Sequence, residues 1–272
     1  MVRLETRPKT PPAARGDVSR MVQLLPGMGA SSDERNDIVV RGGSPTEVRF
    51  LLDGIEIANP NHFGTMGATG GPIGMINADF IQEAKFYAGG FPARYGDRLS
   101  GVVDISQREG SRDRLTGTFS FGITGPGLSA EGPLGGGKGS WLIGGSYVHP
   151  IILEKLLGIA PEYGTLTFKT TYDLDHSNNI QVLGIGGLDA IKMEAADNDT
   201  FPHDEEVNFR TKQYAVGVIW RRLIGGRGFA RMTLSRTWNQ YFVDVDTLTE
   251  ERKAKRWLQT GFLPGGGVVV EF

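Results

Sequence analysis

Cysteine is absent from this sequence of 272 residues, and its absence excludes a disulfide scaffold and any thiolate metal site. The sequence also lacks an excess of one charge, because 29 basic residues stand against 31 acidic ones and the formal net charge is −2. A nucleic-acid-binding protein normally carries a basic patch or stripe, so no nucleic-acid partner is expected. No apolar run approaches the roughly 18 residues of a membrane-spanning helix, although alternating barrel strands leave no such run either.

Motifs for catalysis and for resident metals are missing as well. No nucleophile elbow occurs, and the histidines show no spacing typical of a metal site: His62, His149, His176 and His203. The run Gly132–Gly139 resembles a phosphate loop, but glycine follows Lys138 and the next segment alternates, so we interpret the run as a β-turn. The acidic segment 197–206 is either a Ca²⁺ site or, as we prefer, a solvated loop. The sequence predicts no enzyme, no cofactor and no metal site.

Glycine, by contrast, is abundant. There are 40 glycines, about twice ordinary usage, without a collagen-like period. The stretch from Phe86 to Ser106 combines glycines with Arg94 and Arg98. Glycine suits tight backbone and close approach by another surface, and arginine pairs with carboxylates in crowded places. This stretch is therefore predicted to pack against another part of the protein.

Two patterns divide the chain. Residues 17–110 mix short elements, with an amphipathic helix after the candidate cap Asp17 and several short β segments separated by glycine-rich turns. From Leu115 onward, apolar residues alternate with small or polar ones, as in Tyr214–Trp220. Period-two alternation predicts half-buried strands of an antiparallel sheet. The chain is therefore predicted to be an α+β unit followed by an all-β unit.

The alternating half admits two interpretations. A soluble β-sandwich also alternates, but its strands are usually shorter than these, which approach the roughly 9–11 residues of membrane-crossing strands. The connections also alternate between short and long after the first tight turn, as in outer-membrane barrels with short periplasmic turns and long extracellular loops. We prefer the barrel. The alternative is a soluble or surface-attached β-sandwich binding module with an α+β cap.

Three motifs carry a resemblance to a known family. They are IVVRGG at 38–43, RFLLDGIEI at 49–57 and FIQEAKFYAGGFPARYGDRLSGVVDI at 80–105. In this order they resemble the plug domain of TonB-dependent outer-membrane receptors, and EGPLGGGKGSWLIGGSYVH at 131–149 resembles the first barrel hairpins of that family. The resemblance implies a tether over 1–16, an α+β plug domain over 17–110, and antiparallel transmembrane β-barrel strands over 111–272.

The same resemblance implies a function and a location. Members of the family import scarce nutrients such as siderophores, vitamins, haem, oligosaccharides or peptides across the outer membrane, with the plug facing the periplasm. Their partners are TonB with ExbB and ExbD, the outer-membrane lipid and the nutrient. About seven or eight predicted strands are far fewer than the roughly 22 of a plugged transporter. We therefore expect an incomplete barrel and a fragment of a longer receptor. The sequence also departs from the family, because neither a secretory signal nor a TonB box is recognisable.

The resemblance also implies two sets of site residues. The loop at the plug apex is predicted to contact the ligand through Asn59, Asn61, His62 and Phe63, unless this is a plain glycine-rich loop packed on the barrel wall. A second set is predicted to pack the plug against the barrel: Arg41, Gly42, Gly43, Asp53, Gly54, Arg94, Tyr95, Gly96, Asp97 and Arg98.

Overall fold

The computed structural model describes residues 2–4, 18–32, 35–64, 70–92, 94–96, 99–122, 125–149, 160–193, 205–226, 228–247 and 256–271. Asp97 and Arg98 of the predicted packing set lie outside these ranges, and so does most of the acidic segment 197–206. Among the described residues, no helix is long and apolar enough to cross a membrane.

The first part of the chain forms a small α+β unit, here called the N-terminal unit. It contains one α-helix, Val18–Gln23 (α1), and two short 3-10 helices, Pro45–Glu47 and Ala78–Phe80. Its strands are Val2–Leu4 (β1), Met28–Gly29 (β2), Val39–Val40 (β3), Val48–Leu52 (β4), Ile55–Ile57 (β5), Asn61–His62 (β6), Ile73–Gly74 (β7), Ile81–Tyr87 (β8) and Gly101–Gln107 (β9). Five of them form one sheet in the order β1-β8-β9-β4-β5, in which β4 and β9 are parallel.

Local sequence signals explain several of these elements. The Asn77 side chain accepts a hydrogen bond from the Asp79 N–H at 2.9 Å, which caps the short helix before β8. The β4–β5 hairpin turns at Asp53 and Gly54, whose φ angles of 50° and 83° are those of a two-residue turn that favours Asp-Gly. The strand β1 lies within the segment 1–16 that the sequence predicts to be a tether. It forms a strand there because it pairs with the open edge of β8.

The second part of the chain forms one large antiparallel sheet, here called the large sheet. The eight strands among its described residues follow one another in chain order. They are Thr116–Gly122 (β10), Gly125–Leu134 (β11), Gly139–Val148 (β12), Ala160–Asp173 (β13), Asn178–Met193 (β14), Glu205–Ile224 (β15), Gly228–Thr247 (β16) and Arg256–Glu271 (β17).

The connections of the large sheet alternate in length as predicted. Short turns join β11 to β12, β13 to β14 and β15 to β16, whereas longer segments join β12 to β13, β14 to β15 and β16 to β17. The strands β15 and β16 reach 20 residues each, about twice the length expected for crossing a bilayer. They are longer because the ladder continues well past the part that lipid would cover, into the long connections.

The two faces of the large sheet differ in chemistry. One face, the outer face, exposes large apolar side chains along β10–β16: Phe119, Phe121, Leu128, Ile143, Leu166, Val182, Tyr214, Val216, Val218, Met232 and Leu234. The opposite or inner face carries small, hydroxyl and amide side chains, and the N-terminal unit packs against it. Leu183, Ile185, Ala215 and Ile219 of the inner face join the same buried cluster as Phe50 of β4.

This arrangement distinguishes the two interpretations of the alternating half. A β-sandwich covers the apolar face of one sheet with a second sheet. Here, within the described residues, the N-terminal unit covers the more polar face and the apolar face is left open. The sandwich interpretation is therefore wrong for this fold. The described residues form an α+β unit followed by the antiparallel strands of an unclosed, barrel-like sheet, as the sequence predicts.

The open apolar face predicts how the chain behaves in solution. Without detergent the chain is expected to aggregate, because exposed apolar patches of this size associate in water. In detergent micelles it is expected to stay dispersed, with a β-rich circular dichroism spectrum. Analytical ultracentrifugation with and without detergent checks this expectation. A dispersed, folded monomer in plain buffer contradicts this expectation and favours the alternative of a soluble binding module.

Candidate functional site between the N-terminal unit and the large sheet

Polar contacts join the N-terminal unit to the inner face of the large sheet at two places. One lies at the β4–β5 turn, close to the ends of the large-sheet strands that carry short turns. The other lies at β6, closer to the ends that carry the long connections. Between them is an apolar strip in which side chains of the N-terminal unit meet glycines of the large sheet. These contacts contain half of the predicted site residues that the structure describes, namely Asn59, Asn61, His62, Phe63, Asp53 and Gly54.

The first polar contact is a buried ion pair. The Lys169 ammonium of β13 lies 3.1 Å from both carboxylate oxygens of Asp53 and also donates to the Gln107 carbonyl at 2.8 Å. The Gln107 N–H donates to Asp53 Oδ1 at 3.1 Å. Lys169 and Asp53 are both buried, and the added hydrogen bonds satisfy the charges that burial removes from water.

Two effects oppose each other at the Asp53 carboxyl. Burial raises the pKa of Asp53 above its ordinary value, whereas the Lys169 ammonium acts to lower it. A second cation approaches the turn from β16, where the Arg231 guanidinium donates a hydrogen bond to the Asp53 carbonyl oxygen. A side chain at position 54 would collide with it, because a Cβ on Gly54 lies 3.0 Å from Arg231 Nη2. Both Asp53 and Gly54 thus contact the large sheet.

The apolar strip depends on glycines that face inward from three strands. A Cβ on Gly144 of β12 would lie 2.4 Å from the Phe80 ring, one on Gly187 of β14 would lie 2.8 Å from Met75 Cε, and one on Gly217 of β15 would lie 2.5 Å from Ile55 Cδ1. All three distances are shorter than van der Waals contact. These glycines therefore create the space into which the N-terminal unit inserts its side chains.

The second polar contact centres on His62 of β6. Its Nδ1 is hydrogen-bonded to the Asp189 carboxylate of β14, and its Nε2 to Thr165 Oγ1 of β13 at 2.7 Å. The other Asp189 oxygen accepts the Phe63 N–H at 3.0 Å, and Phe63 has a left-handed φ of 53°. The His62 and Phe63 rings pack on Tyr163, with centroids 5.0 Å and 5.6 Å away.

Asn59 and Asn61 support this contact from within the N-terminal unit. The Asn59 side chain accepts the Asn61 N–H at 2.9 Å and donates to the Gly70 carbonyl at 3.2 Å. Gln213 of β15 donates to the Asn61 carbonyl at 3.0 Å. Asn59, Asn61 and His62 are each at most 1% exposed. These side chains hold the segment 59–63 on the large sheet. Their contact with a ligand stays a prediction.

The chemistry of the His62 contact is that of docking. The order Asp189–His62–Thr165 has the connectivity of a hydrolase triad. Catalysis of acyl transfer also needs backbone donors for an oxyanion, and the adjacent Phe63 N–H is already bonded to Asp189.

A cavity of about 480 Å³ adjoins His62, between the segment 72–80 and the strands β10–β13. Among the described residues, no group of three or more His, Cys, Asp or Glu is arranged to hold a metal ion.

The other residues of the predicted packing set lie in the N-terminal unit with neighbours from the same unit. The Tyr95 hydroxyl donates to Asp104 at 2.7 Å and accepts a hydrogen bond from Arg94. Burial, with help from Asp104, raises the pKa of Tyr95 well above its ordinary value. The Gly96 carbonyl accepts from Arg49. Arg41 and Gly42 form an exposed left-handed turn, and Gly43 follows it beside Ser100. Their packing on the barrel stays a prediction.

Sequence reasoning missed the partners on the large sheet. They are Thr165, Lys169, Asp189, Gln213 and Arg231. A signal was present for Thr165, Lys169, Gln213 and Arg231, because the alternation assigns them to the inner face, where a polar or charged side chain needs a partner. Asp189 lies in a segment, 188–210, that the sequence predicts to be a long connection, whereas β14 continues through it to Met193. The alternation does not tell which residue of the N-terminal unit each of them meets.

Comparison with known proteins agrees with the fold. Residues 12–103 match the family model described as the TonB-dependent receptor plug domain. No curated protein matches the chain. Solved structures with a similar fold include the siderophore receptor PirA from Acinetobacter baumannii (14% identity, TM-score 0.55), FpvA from P. aeruginosa bound to heterologous pyoverdines (13%, 0.62) and the outer membrane transporter YddB from Escherichia coli (12%, 0.60).

These likenesses cover most of this chain and less than half of each neighbour. The matched shares of the chain are 89%, 90% and 94%, and the shares of the neighbours are 45%, 35% and 42%. The chain thus spans less than half the length of the receptors and transporter that it resembles. At such low identity, the likeness shows the fold and not the ligand.

Breaking the buried ion pair is expected to destabilise the chain. Asp53→Asn leaves the Lys169 charge buried and should lower the free energy of unfolding in micelles by about 3–5 kcal/mol. Asparagine tolerates the left-handed backbone here.

The change Lys169→Met should lower the free energy of unfolding less at about pH 5 than at about pH 8. The reason is that the Asp53 carboxyl, whose pKa is raised, takes up a proton in the folded state. Urea titrations at both pH values provide the measurement.

The double variant Asp53→Asn/Lys169→Met and an exposed pair serve as controls. The double variant has no buried charge and should lose less stability than the two single changes together, with a coupling of about 0.5–3 kcal/mol. Arg210 and Asp244, 2.9 Å apart, are more exposed. Arg210→Gln should therefore cost less than about 1 kcal/mol. Equal costs for Lys169→Met and Arg210→Gln contradict a structural role for the buried pair.

Filling an inward-facing glycine is expected to displace the N-terminal unit. Gly144→Ala brings a methyl group against the buried Phe80 ring and should cost about 1–3 kcal/mol of unfolding free energy. Gly226→Ala is the matched control, because no atom lies within 4 Å of a Cβ there. Adding Phe80→Leu to Gly144→Ala should recover part of the loss. Similar stability for the two alanine variants contradicts the proposed close contact.

Proposed function

Because the chain carries a TonB-dependent receptor plug domain followed by the first strands of an unclosed barrel, we propose that it is the N-terminal part of an outer-membrane receptor for active nutrient uptake. The observation that supports this most is the position of the matched unit. It occupies the inner face of a sheet whose outer face is apolar. A plug inside a lipid-facing wall has this arrangement.

Closure of the barrel is part of the proposal. An open sheet edge is costly in lipid, because its backbone groups have no partner there. Both β10 and β17 are terminal strands of the large sheet. In the full receptor, further strands continue from β17 and close the wall against β10. The chain then supplies the plug and about a third of the strands of a large plugged transporter.

The alternating connections support an orientation. Short turns face the periplasm in outer-membrane barrels and long loops face outward. The β4–β5 turn with Asp53 then lies near the periplasmic end and His62 nearer the cell exterior. We propose that TonB, with ExbB and ExbD, acts on the plug from the periplasmic side and supplies the energy for uptake.

Asn59, Asn61 and His62 are each at most 1% exposed, so a ligand at the outer end first meets the partly exposed Phe63. The ligand then occupies the cavity of about 480 Å³ beside His62. The hydroxyl and amide groups around that cavity suit a polar ligand.

A ferric siderophore is the first ligand class to test. Of the three similar structures named above, one is described as a siderophore receptor and another as a complex with a pyoverdine and iron. The other classes of the resemblance, from vitamins and haem to oligosaccharides and peptides, come next. The low identities carry only the fold, so the choice rests on this analogy and on the polar cavity.

Uptake that depends on TonB is the expected outcome of the deciding experiment. The full receptor that carries this chain is expressed in otherwise identical outer-membrane hosts with and without TonB. Accumulation of labelled ferric siderophores, and then of the other classes, is measured at low external concentration. The expected result is accumulation above the external level only in the host with TonB, because binding alone cannot concentrate a ligand.

Two controls limit the interpretation. Binding to the cell surface at low temperature should be equal in both hosts, since it needs no energy. The variant Gly144→Ala should be compared with Gly226→Ala for uptake at equal receptor abundance. Accumulation that is equal with and without TonB, or a receptor found only in the soluble fraction, contradicts the proposed function.

A further inference from the structure

A cavity lies beside the β4–β5 turn, away from the His62 contact. Its volume is about 410 Å³, and residues from β4, β8 and β9 and from β13–β16 line it. On the large sheet the lining residues lie within a few positions of the short turns, as Gln181, Arg221 and Arg231 do. The cavity is therefore at the opposite end of the interface from the predicted ligand loop.

Cationic side chains dominate the lining. Six of the lining residues are cationic and three are acidic. The six are Arg49, Lys85, Arg94, Lys169, Arg221 and Arg231. Each acid already has a described partner, since Asp53 binds Lys169, Asp104 accepts from Tyr95 and Glu109 pairs with Arg112. Two of the cations are paired as well, Arg49 with Glu56 and Lys85 with Glu83, so the positive charge of the cavity comes mainly from the large-sheet arginines Arg221 and Arg231.

Two of the arginines lie directly opposite each other. Arg221 of β15 and Arg231 of β16 are register partners and share the parity of the buried inner-face residue Ile219. Like charges in this position repel and destabilise the ladder. Arg231 donates to the neutral Asp53 carbonyl, and Arg221 lies 5.3 Å from the Phe229 ring centroid. Arg221 is exposed and Arg231 is partly buried. Neither forms a salt bridge with the residues whose side chains the structure describes, and Glu271 of β17 is the register partner of Arg231 on its other side. An anion between them removes the repulsion.

A buried glutamine gives an independent indication of a ligand. Gln107 lines the same cavity and is 2% exposed. Its backbone groups bind Asp53 and Lys169, but among the described residues its Nε2 and Oε1 have no hydrogen-bond partner. A buried amide without partners is unfavourable, so a polar group in the cavity is expected to bind it.

The two observations together specify the kind of ligand. The arginines require an anion, and planar guanidinium groups match phosphate oxygens well. Gln107 requires an acceptor for its Nε2 and a donor for its Oε1. A phosphate group that retains one proton provides acceptor oxygens and one O–H donor, whereas sulfate at neutral pH provides only acceptors.

We infer that this cavity is a binding site for a phosphate group, held by Arg221, Arg231 and the Gln107 amide. Its occupant is either inorganic phosphate or the headgroup of a phospholipid such as phosphatidylglycerol, in which a glycerol hydroxyl supplies the donor that the diester phosphate lacks. A bound phosphate joins β15 and β16 to the end of β9, and so holds the β4–β5 turn against the large sheet. The inference rests on the interface itself and does not depend on which nutrient is transported.

Titration of the full chain in a non-ionic detergent tests the site. Binding of inorganic phosphate is followed by isothermal titration calorimetry at constant ionic strength, with sulfate as the comparison anion. One saturable phosphate site per chain is expected, with weaker binding of sulfate. Arg221→Gln should weaken phosphate binding by about tenfold or more, the loss expected for a charge-assisted hydrogen bond. Arg210→Gln, on the outer face, should bind phosphate as the unchanged chain does.

Gln107→Leu separates a loss of binding from a loss of structure. It replaces an amide without partners by an apolar side chain of similar size, so its melting temperature without phosphate should be equal or higher. It should nevertheless lose most of the phosphate affinity and most of the rise in melting temperature that phosphate causes. A structural role alone predicts the opposite, a lower melting temperature and unchanged binding.

A short-chain phosphatidylglycerol, titrated in parallel with phosphate, identifies the source. The site is assigned to a headgroup when the lipid binds more tightly than phosphate and both Arg221→Gln and Gln107→Leu weaken the binding of the lipid. It is assigned to the free ion when phosphate binds more tightly than the lipid. The inference is overturned when neither compound binds saturably, or when both variants bind as the unchanged chain does. None of these outcomes bears on TonB-dependent uptake, so the two proposals fail separately.

Discussion

The buried ion pair between Asp53 and Lys169 determines how the N-terminal unit lies on the large sheet. Removing two charges from water is costly, and the cost is offset only when the geometry is good and the remaining hydrogen-bonding groups are satisfied. Gln107 contributes to both ends of the pair, through its N–H to Asp53 and its carbonyl to Lys169. Few other positions of the unit preserve both contacts. The pair therefore sets the register in which the apolar strip and the His62 contact form.

The interface combines polar ends with an apolar middle, and this combination suits a unit that docks and also moves. Polar contacts are replaced by water when they separate, so each contributes little net stability. The apolar strip contains three glycines, Gly144, Gly187 and Gly217, which admit one large side chain each, beside inner-face residues that join the buried cluster of the unit. Directional polar contacts at both ends thus place the unit on this apolar middle.

Much of the fold follows from local pattern, and the site does not. The alternation in Tyr214–Trp220 and its companions assigns residues to faces, and the spacing of turns orders the strands, because both depend on neighbours along the chain. Asp53-Gly54 between two apolar runs is likewise a local signal for a hairpin. The partner of Asp53 is 116 residues away. No period in the sequence links the two positions, so only the docked structure shows that Lys169 is the residue that neutralises Asp53.

Local pattern leaves the partners of one stretch undetermined. The arginines and glycines after Phe86 predict packing on the barrel, and the described hydrogen bonds of Arg94 and Tyr95 lie inside the N-terminal unit. A polar side chain in a crowded region needs a partner, and composition does not tell whether the partner is near or far in space. The contacts of individual side chains therefore come from the coordinates and not from the resemblance.

The length of β15 and β16 has a consequence for the outer end of the molecule. The Tyr214 and Trp238 rings stack with centroids 6.2 Å apart on the outer face, and aromatic rings of this kind lie at the lipid–water boundary of barrels. Beyond them, Arg210 and Lys212 are exposed, and residues 205–213 add about 30 Å of strand. In the receptor proposed above, a tilt of about 40° would raise the wall roughly 20 Å above the lipid on that side. A molecule arriving from outside would then pass between these β walls before it reaches Phe63.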